Sequence, residues 1–227
     1  FDLGADPSQV NAHLSRDPAL APLVAQRPGL RAPGAWDGFE LAVRAVLGQQ
    51  ITVVGARNIA GRLAAAHGEA LPEHLAAPGL THLFPTPDAL AQIDPASLPM
   101  PQARARALVA LAAAAAADPQ LFAPRGTLED AVARLKALPG IGEWTAQYIA
   151  LRQMREPDAF PHGDIGLMRA LAGPDGVRPT AQQLAARAEA WRPWRAYAAL
   201  HLWASEGLAP AKPKPIRKEL RHDQNAA

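Results

Sequence analysis

Residues 138–167 read LPGIGEWTAQYIALRQMREPDAFPHGDIGL, and most of the structural information in the chain is concentrated there. The PGIG turn at 139–142 joins two stretches of helical pattern, and its glycines let the backbone take positive φ and approach another chain closely. Free N–H groups at the start of the second helix would then point outward. Hydrogen bonding and the helix dipole both favour a phosphate there. An ordinary turn between helices is the alternative for this motif taken alone.

Two aromatic residues and one carboxylate follow this turn. Trp144 and Tyr148 are four positions apart in a predicted helix, so they share a face. Asp164 precedes another predicted helix, where Asp is a favoured N-cap, and capping alone explains it without any chemistry. A helix N-terminus also keeps a carboxylate ionised, so capping and a chemical role are compatible. A phosphate clamp, a stacking surface and an anion in one segment favour chemistry on a base drawn out of a DNA duplex.

The composition sets broader limits. With 227 residues the chain suits one large domain or two small lobes. It contains no cysteine, which excludes disulfides, thiolate zinc sites and iron–sulfur clusters. The net charge of +2 is too small to identify a nucleic-acid binder by itself. Because no run of about eighteen apolar residues and no signal-peptide pattern is visible, we expect a cytoplasmic, nucleoid-associated protein without membrane contact.

The rest of the chain predicts an all-α fold with short, proline-marked connections. A long helix is predicted over 38–66, with Gly48 or Gly55 as a possible break. The TLED sequence at 127–130 is typical of a capping-box start, and Pro193 fits the first position of the last helix, which would end at Glu206. The other predicted helices cover 7–15, 87–93, 101–117, 128–137, 142–154, 165–172 and 180–190.

The hairpin pattern resembles the helix-hairpin-helix of base excision DNA glycosylases, the HhH-GPD superfamily. Its alkylation-repair branch, the AlkA-type DNA-3-methyladenine glycosylases II, is matched by GEWTAQYIALR, by FPHGD and by WRPWRAYAALHLW near the C-terminus. The sequences FDL at 1–3 and FELAVRAVLGQQIT at 39–52 match that branch as well. The resemblance therefore runs from residue 1 to about residue 208.

This resemblance implies a two-lobed helical core without most of the family's N-terminal β-rich domain. The first lobe would cover 36–156 and contain the hairpin. The second lobe would combine 1–35 with 157–208 and carry Asp164. Residues 209–227 are predicted to form a basic, flexible tail, either solvated or in contact with phosphate.

The family's chemistry assigns roles to four residues. Asp164 matches the catalytic carboxylate, and the base pocket would be formed by Trp144, Tyr148 and Trp203. Breaking an N-glycosidic bond builds positive charge on the sugar, and a fixed carboxylate can stabilise it, activate water, or both. Bases such as 3-methyladenine and 7-methylguanine are already cationic, so electron-rich rings attract them with about 2 kcal/mol per desolvated contact. Core packing is the alternative for the aromatic residues, and the preferred interpretation for Trp191 and Trp194.

Contacts to double-stranded DNA follow from the same resemblance. Gln50 would fill the gap left by an extruded base, although a Gln departs from an apolar wedge and could equally be an ordinary surface residue. The hairpin contacts would come from Gly140, Ile141, Gly142 and Thr145. The implied monovalent cation, Na⁺ or K⁺, would be held by the backbone carbonyls of Lys136, Leu138 and Ile141. No other cofactor is expected.

Trp144 also indicates whether water or a lysine amine attacks the sugar. In lyase-competent relatives a Lys stands two residues after the second hairpin Gly and forms a Schiff base, whereas here that position is Trp144. We therefore expect a monofunctional, monomeric glycosylase that uses water. The nearby carboxylates Glu143 and Asp158 are interpreted as surface residues. Two alternatives remain: a non-catalytic hairpin module in which Asp164 is only a cap, and a bifunctional glycosylase and AP lyase.

Overall fold

A computed structural model describes residues 2–206, so the predicted basic tail at 209–227 lies outside the described residues. Within that range the chain forms eleven α-helices and no β-strand, apart from two isolated bridges between residues 70 and 82. The all-α prediction is confirmed. None of the helices in this range is long and apolar enough to cross a lipid bilayer.

The helices follow one another with short connections. In chain order they are α1 (Pro7–Leu14), α2 (Ala21–Gln26), α3 (Gly38–Leu47), α4 (Val53–His67), α5 (Pro87–Ala91), α6 (Gln102–Ala117), α7 (Leu128–Lys136), α8 (Glu143–Ile149), α9 (Ile165–Ala170), α10 (Ala181–Ala188) and α11 (Arg195–Glu206). Short 3₁₀ turns cover Glu73–Leu75, Pro95–Ser97 and Glu189–Trp191, and a π-helical turn covers Ala150–Met154.

Side-chain caps fix where several helices begin. The capping box predicted at the start of α7 is present: Thr127 Oγ1 accepts the amide of Asp130 at 3.1 Å, and Asp130 accepts the amide of Thr127 at 3.0 Å. A second box joins Thr180 and Gln183 at the start of α10. Each such cap stabilises its helix by about 1 kcal/mol.

The helix predicted over 38–66 is two helices, and the break falls at Gly48 rather than Gly55. Thr52 is extended, with φ −71° and ψ 153°, and its Oγ1 accepts the amide of Gly55 at 3.1 Å, so a new helix begins there. Gln50, at the tip of the intervening loop, has φ +59°. The two helices can therefore point in different directions, with the loop exposed between them.

One further prediction was wrong, at the start of the last helix. Pro193 does not occupy the first position of the last helix, because the chain first makes a 3₁₀ turn ending at Trp191 and α11 begins only at Arg195. The Arg192–Pro193 peptide is cis. The helix predicted over 142–154 changes from α to π at Ala150, and Arg155 ends it with φ +60°. The short α2 had no clear sequence signal.

The core is built mainly from α3, α6, α8 and α11, and α11 is buried along most of its length. The N-terminal segment packs on the C-terminal helices. Trp191 is 1% exposed, as its core interpretation requires, and its indole N–H donates to Asp17 at 2.8 Å. Burial would raise the pKa of Asp17, but hydrogen bonds from Arg187 and Trp191 outweigh it and lower that pKa. The lobe boundaries at 36 and 156 stay a prediction.

The start of the chain is hydrogen-bonded, and Asp158 is ion-paired, to the C-terminal part of the fold. Asp2 accepts the Tyr197 hydroxyl at 2.8 Å, and burial together with this neighbouring carboxylate raises the pKa of Tyr197. Asp158, interpreted as a surface residue, is instead mostly buried and pairs with Arg195 at 2.8 Å and with Arg192. Its side chain therefore fastens α11 to the segment after α8.

Candidate active site and DNA-binding hairpin

The hairpin between α7 and α8 requires its glycine at position 140. Gly140 has φ +77°, which side chains rarely adopt, and a Cβ placed there would lie 2.4 Å from Cβ of Ala107 on α6. Gly142 is extended, exposed and caps α8 without any side-chain hydrogen bond. The first intrahelical bond runs from the amide of Ala146 to the carbonyl of Gly142. The amides of residues 143–145 consequently have no partner within α8 and are available to an anion.

Two of the predicted DNA-contacting residues support the turn from inside. Ile141 is 5% exposed and Thr145 is 2% exposed, so their side chains face the protein interior. Thr145 Oγ1 accepts a hydrogen bond from Gln49 Nε2 at 3.1 Å, and the same nitrogen donates to the carbonyl of Gly140 at 3.0 Å. Any contact of Ile141 or Thr145 with DNA would therefore come from the backbone.

An ion pair lies at the first residue of α8. Glu143 is half-buried and accepts a hydrogen bond from Lys136 Nζ at 2.6 Å and another from Gln147 at 3.0 Å. Burial would raise the pKa of Glu143, but these two donors outweigh it and lower that pKa. Gln147 in turn accepts the amide of Phe160, which ties α8 to the segment leading into Asp164.

Asp164 occupies a fixed position between three helices. As the N-cap of α9, its Oδ1 accepts the amide of Leu167 at 3.0 Å. The indole N–H of Trp203, on α11, donates to the same oxygen at 2.9 Å, and that of Trp144, on α8, donates to Oδ2 at 2.9 Å. Three N–H donors hold this partly buried carboxylate, and two of them come from residues predicted to line the base pocket.

The three predicted pocket aromatics form one continuous surface beside this carboxylate. The rings of Trp144 and Tyr148 stack with centroids 5.3 Å apart and planes 11° apart. Trp203 meets Tyr148 edge to face at 6.2 Å. All three rings are half-buried, whereas Trp194 makes an edge contact to Tyr197 elsewhere on the core. The structure thus brings together residues that are distant in sequence, as the resemblance implied.

Two residues of the site had no sequence signal. A Cβ on Gly166 would lie 2.9 Å from Asp164 Oδ1 and 3.4 Å from Cδ1 of Trp203, so the missing side chain lets the indole reach the carboxylate. Gln49 is the second. The predicted wedge residue Gln50 is exposed, while its neighbour Gln49 makes the contacts to the hairpin. Only contact distances reveal these two residues.

The loop that carries Gln50 is attached to the hairpin. Besides the two bonds from the Gln49 side chain, the Gln49 carbonyl accepts a hydrogen bond from the Arg104 guanidinium on α6 at 2.6 Å. The exposed Gln50 and the exposed Gly140 therefore lie on one connected surface, held by α6 behind it.

Other features lie apart from this site. A cavity of about 500 Å³, bounded by Phe39, Phe122 and Gln153 among others, touches neither Asp164 nor its three aromatic neighbours. Across residues 2–206 no group of three or more His, Asp or Glu side chains converges to hold a metal ion. At the hairpin itself, the carbonyl of Leu138 is one of the three predicted to hold a monovalent cation, and it accepts the amide of Ile141 at 3.2 Å.

A helical core with a glycine hairpin and a carboxylate held among aromatic rings defines a DNA-repair protein of the helix-hairpin-helix class. The HhH-GPD superfamily base excision DNA repair protein model matches residues 43–196, and the AlkA N-terminal domain model matches residues 1–37. The chain belongs to the HhH-GPD superfamily of base excision DNA repair proteins.

Two curated relatives are similar over most of the chain. The probable bifunctional transcriptional activator/DNA repair enzyme AlkA of Mycobacterium tuberculosis is 44% identical over 206 residues, which cover 90% of this chain and 41% of that relative. DNA-3-methyladenine glycosylase 2 of Escherichia coli is 41% identical over 216 residues, covering 92% of this chain and 70% of the relative. The chain thus spans less than half of the mycobacterial relative.

Solved structures support the fold. A 3-methyladenine DNA glycosylase from Archaeoglobus fulgidus superposes with a TM-score of 0.75 at 22% identity, covering 93% of this chain and 73% of that one. The Schizosaccharomyces pombe 3-methyladenine DNA glycosylase in complex with abasic DNA superposes with a TM-score of 0.70 at 23% identity, covering 88% and 98%. At such identities the likeness concerns the fold alone.

Proposed function

We propose that this protein is a DNA-3-methyladenine glycosylase, which hydrolyses the N-glycosidic bond of alkylated bases extruded from double-stranded DNA. The observation that carries the proposal is the Asp164 carboxylate, held by the indoles of Trp144 and Trp203 next to the ring of Tyr148. The similarity to the Escherichia coli glycosylase supports the choice of substrate class.

The chemistry follows from this arrangement. A cationic alkylated base would lie against the aromatic faces, where it gains more than a neutral base does. As the bond from C1′ to the base nitrogen breaks, its electron pair leaves with the base and positive charge grows on the sugar. Asp164, already oriented by three donors, stabilises that charge without reorganisation. Water then adds to C1′ and gives up a proton to Asp164 or to solvent.

Water is the nucleophile in this proposal because no lysine amine among residues 2–206 is placed for attack. Trp144 stands where a lyase would carry its lysine, and an indole does not form a Schiff base. Lys136 is the one lysine among residues 2–206, and it is paired with Glu143. A covalent adduct trapped by borohydride on lesion-containing DNA would contradict the monofunctional mechanism and favour the lyase.

The DNA would be held at two places. The unpaired amides at the start of α8 would bind one phosphate. The carbonyls of Lys136, Leu138 and Ile141 would hold a monovalent cation beside it. Gln50 would enter the gap left by the extruded base and hydrogen-bond the unpaired partner base. The protein would act as a monomer on nucleoid DNA, because one copy of the chain supplies the carboxylate, the rings and the hairpin.

The test is release of 3-methyladenine from methylated duplex DNA by the wild type and by Asp164→Asn. We expect release by the wild type and a loss of about 100-fold or more in the variant, because the charge that stabilises the sugar cation is removed. Asp118→Asn serves as the control, since Asp118 makes an exposed ion pair with Arg125. A wild type that binds the duplex but releases nothing would leave a non-catalytic hairpin module, in which Asp164 is only a helix cap.

A further inference from the structure

Ile51, Val53 and Val54 form an exposed aliphatic cluster at the start of α4, named here the aliphatic tip. Their exposed fractions are 37%, 86% and 58%. Thr52 lies among them and caps α4 through Gly55, so the tip is a well-formed helix start. Three branched aliphatic side chains clustered in water are typical of a surface that another molecule covers.

The position of the tip indicates what covers it. It follows directly after Gln50, which is exposed with φ +59°. Gln49 ties the same loop to Gly140 and Thr145 of the hairpin. The tip is therefore continuous with the surface that the hairpin presents to DNA.

The charges around the tip favour a polyanion. The helices α4 and α6 together carry four arginines, at positions 57, 62, 104 and 106, and no Asp or Glu. Arg57 is exposed and lies one helical turn from Val53 and Val54, on the same face of α4. An aliphatic cluster with Arg57 one turn away and Arg104 bonded to the adjoining loop suits a nucleic acid, whose apolar base and sugar surfaces adjoin phosphates.

We propose that the aliphatic tip packs against the base pair next to the extruded nucleotide and, together with Gln50, keeps the opened base step apart. The inference rests on the proposed function. An unstacked step exposes apolar base faces and sugar carbons, and aliphatic side chains remove that surface from water. The tip supplies the apolar contact that Gln50 lacks, while Gln50 is free to bond the orphaned base.

The test uses the double variant Val53→Thr, Val54→Thr, which keeps both branched shapes and replaces one methyl at each position by a hydroxyl. We expect excision from a paired duplex to fall roughly fivefold to twentyfold, since each methyl lost from a buried contact is worth about fourfold. Excision of the same lesion from a single-nucleotide bulge, where the step is already open, should fall less than about twofold. Fluorescence of 2-aminopurine beside the lesion should rise less with the variant than with the wild type.

Val177→Thr is the matched control, because Val177 is 65% exposed in the loop between α9 and α10. Thermal unfolding midpoints of all variants should agree, since the exchanged methyl groups are exposed. The inference is overturned when the double variant excises from the paired duplex as fast as this control does, which would leave the tip to a protein partner. An equal loss on paired and bulged substrates overturns it as well. A wild type inactive on both substrates overturns the proposed function, and this inference with it.

Discussion

Trp203 donates its indole N–H to Oδ1 of Asp164 at 2.9 Å, although 39 residues separate the two in the chain. A helix-capping carboxylate is thereby tied to the last helix of the described fold. In the proposed function the ring has two separable roles, since its face would stack on a base while its edge orients the anion. Replacing Trp203 by Phe separates them.

Trp203→Phe keeps an aromatic face and removes the donor. We expect the single-turnover excision rate to fall roughly tenfold or more, because a hydrogen bond to a charged group is worth about 1.5–3 kcal/mol. Affinity for undamaged duplex should not change. Trp194→Phe is the control, because Trp194 packs on Tyr197 away from the site. Equal rates for wild type and Trp203→Phe would show that the hydrogen bond has no part in orienting Asp164.

Gly166→Ala should lose activity without losing stability. In a helix the change from Gly to Ala ordinarily stabilises by about 1 kcal/mol, but here the new methyl would lie 2.9 Å from Asp164 Oδ1 and press on Trp203. We expect a several-fold lower rate at saturating DNA with KM little changed. Gly61→Ala, on an exposed face of α4 with nothing within 4 Å, is the control and should be fully active. A fully active Gly166→Ala would mean that the carboxylate and indole tolerate the shift.

Glu143→Gln should tighten DNA binding by freeing Lys136 beside the hairpin turn. The pair is about half exposed, so we expect only a few-fold gain in affinity for undamaged duplex. If Lys136 then reaches a phosphate, the dependence of log K on log salt should steepen by about 0.9. The double variant Glu143→Gln, Lys136→Met shows whether the gain in affinity acts through Lys136. A gain that persists without Lys136 would show a direct effect of the Glu143 charge instead.

His201 makes stability fall at acidic pH. Burial, and secondarily the nearby Arg27, lower the pKa of His201 to about 4, against about 6.5 in the unfolded chain. The folded state thus binds fewer protons, so this contribution is complete above pH 6.5 and is lost as pH falls towards 4. This contribution to the free energy of unfolding is on the order of 3 kcal/mol. Urea unfolding at pH 7 and pH 4.5 gives the loss of unfolding free energy between the two pH values, and this loss should be smaller for His201→Gln than for the wild type. An equal loss in both proteins would exclude His201 as the cause.

Much of the fold could be predicted because its signals are local. Helix caps such as Thr127 and the Gly140 turn act within a few residues, and the spacing of Trp144 and Tyr148 fixes a shared face whatever the surroundings. The start of α11 could not be placed, because the turn before it depends on how Trp191 packs in the core.

In the candidate site, too, the residues with local motifs could be predicted and the contacts between distant segments could not. Asp164 and the three aromatics carry recognisable motifs, but the hydrogen bonds that join them run between helices distant in sequence. Asp158 seemed exposed because its partners, Arg192 and Arg195, lie more than thirty residues away. Gly166 and Gln49 act through a missing methyl group and a side-chain amide, neither of which leaves a pattern in the chain.

The side chain of Gln49 has a consequence for how damage is located. It spans from the loop that carries Gln50 to the carbonyl of Gly140, so the point that would grip a phosphate and the point that would enter the helix stand a set distance apart. The protein would then contact the DNA at two points whose separation is fixed. A lesion one nucleotide away from the position that Gln50 would enter would be bound but not extruded. The protein would then have to move along the duplex to reach it.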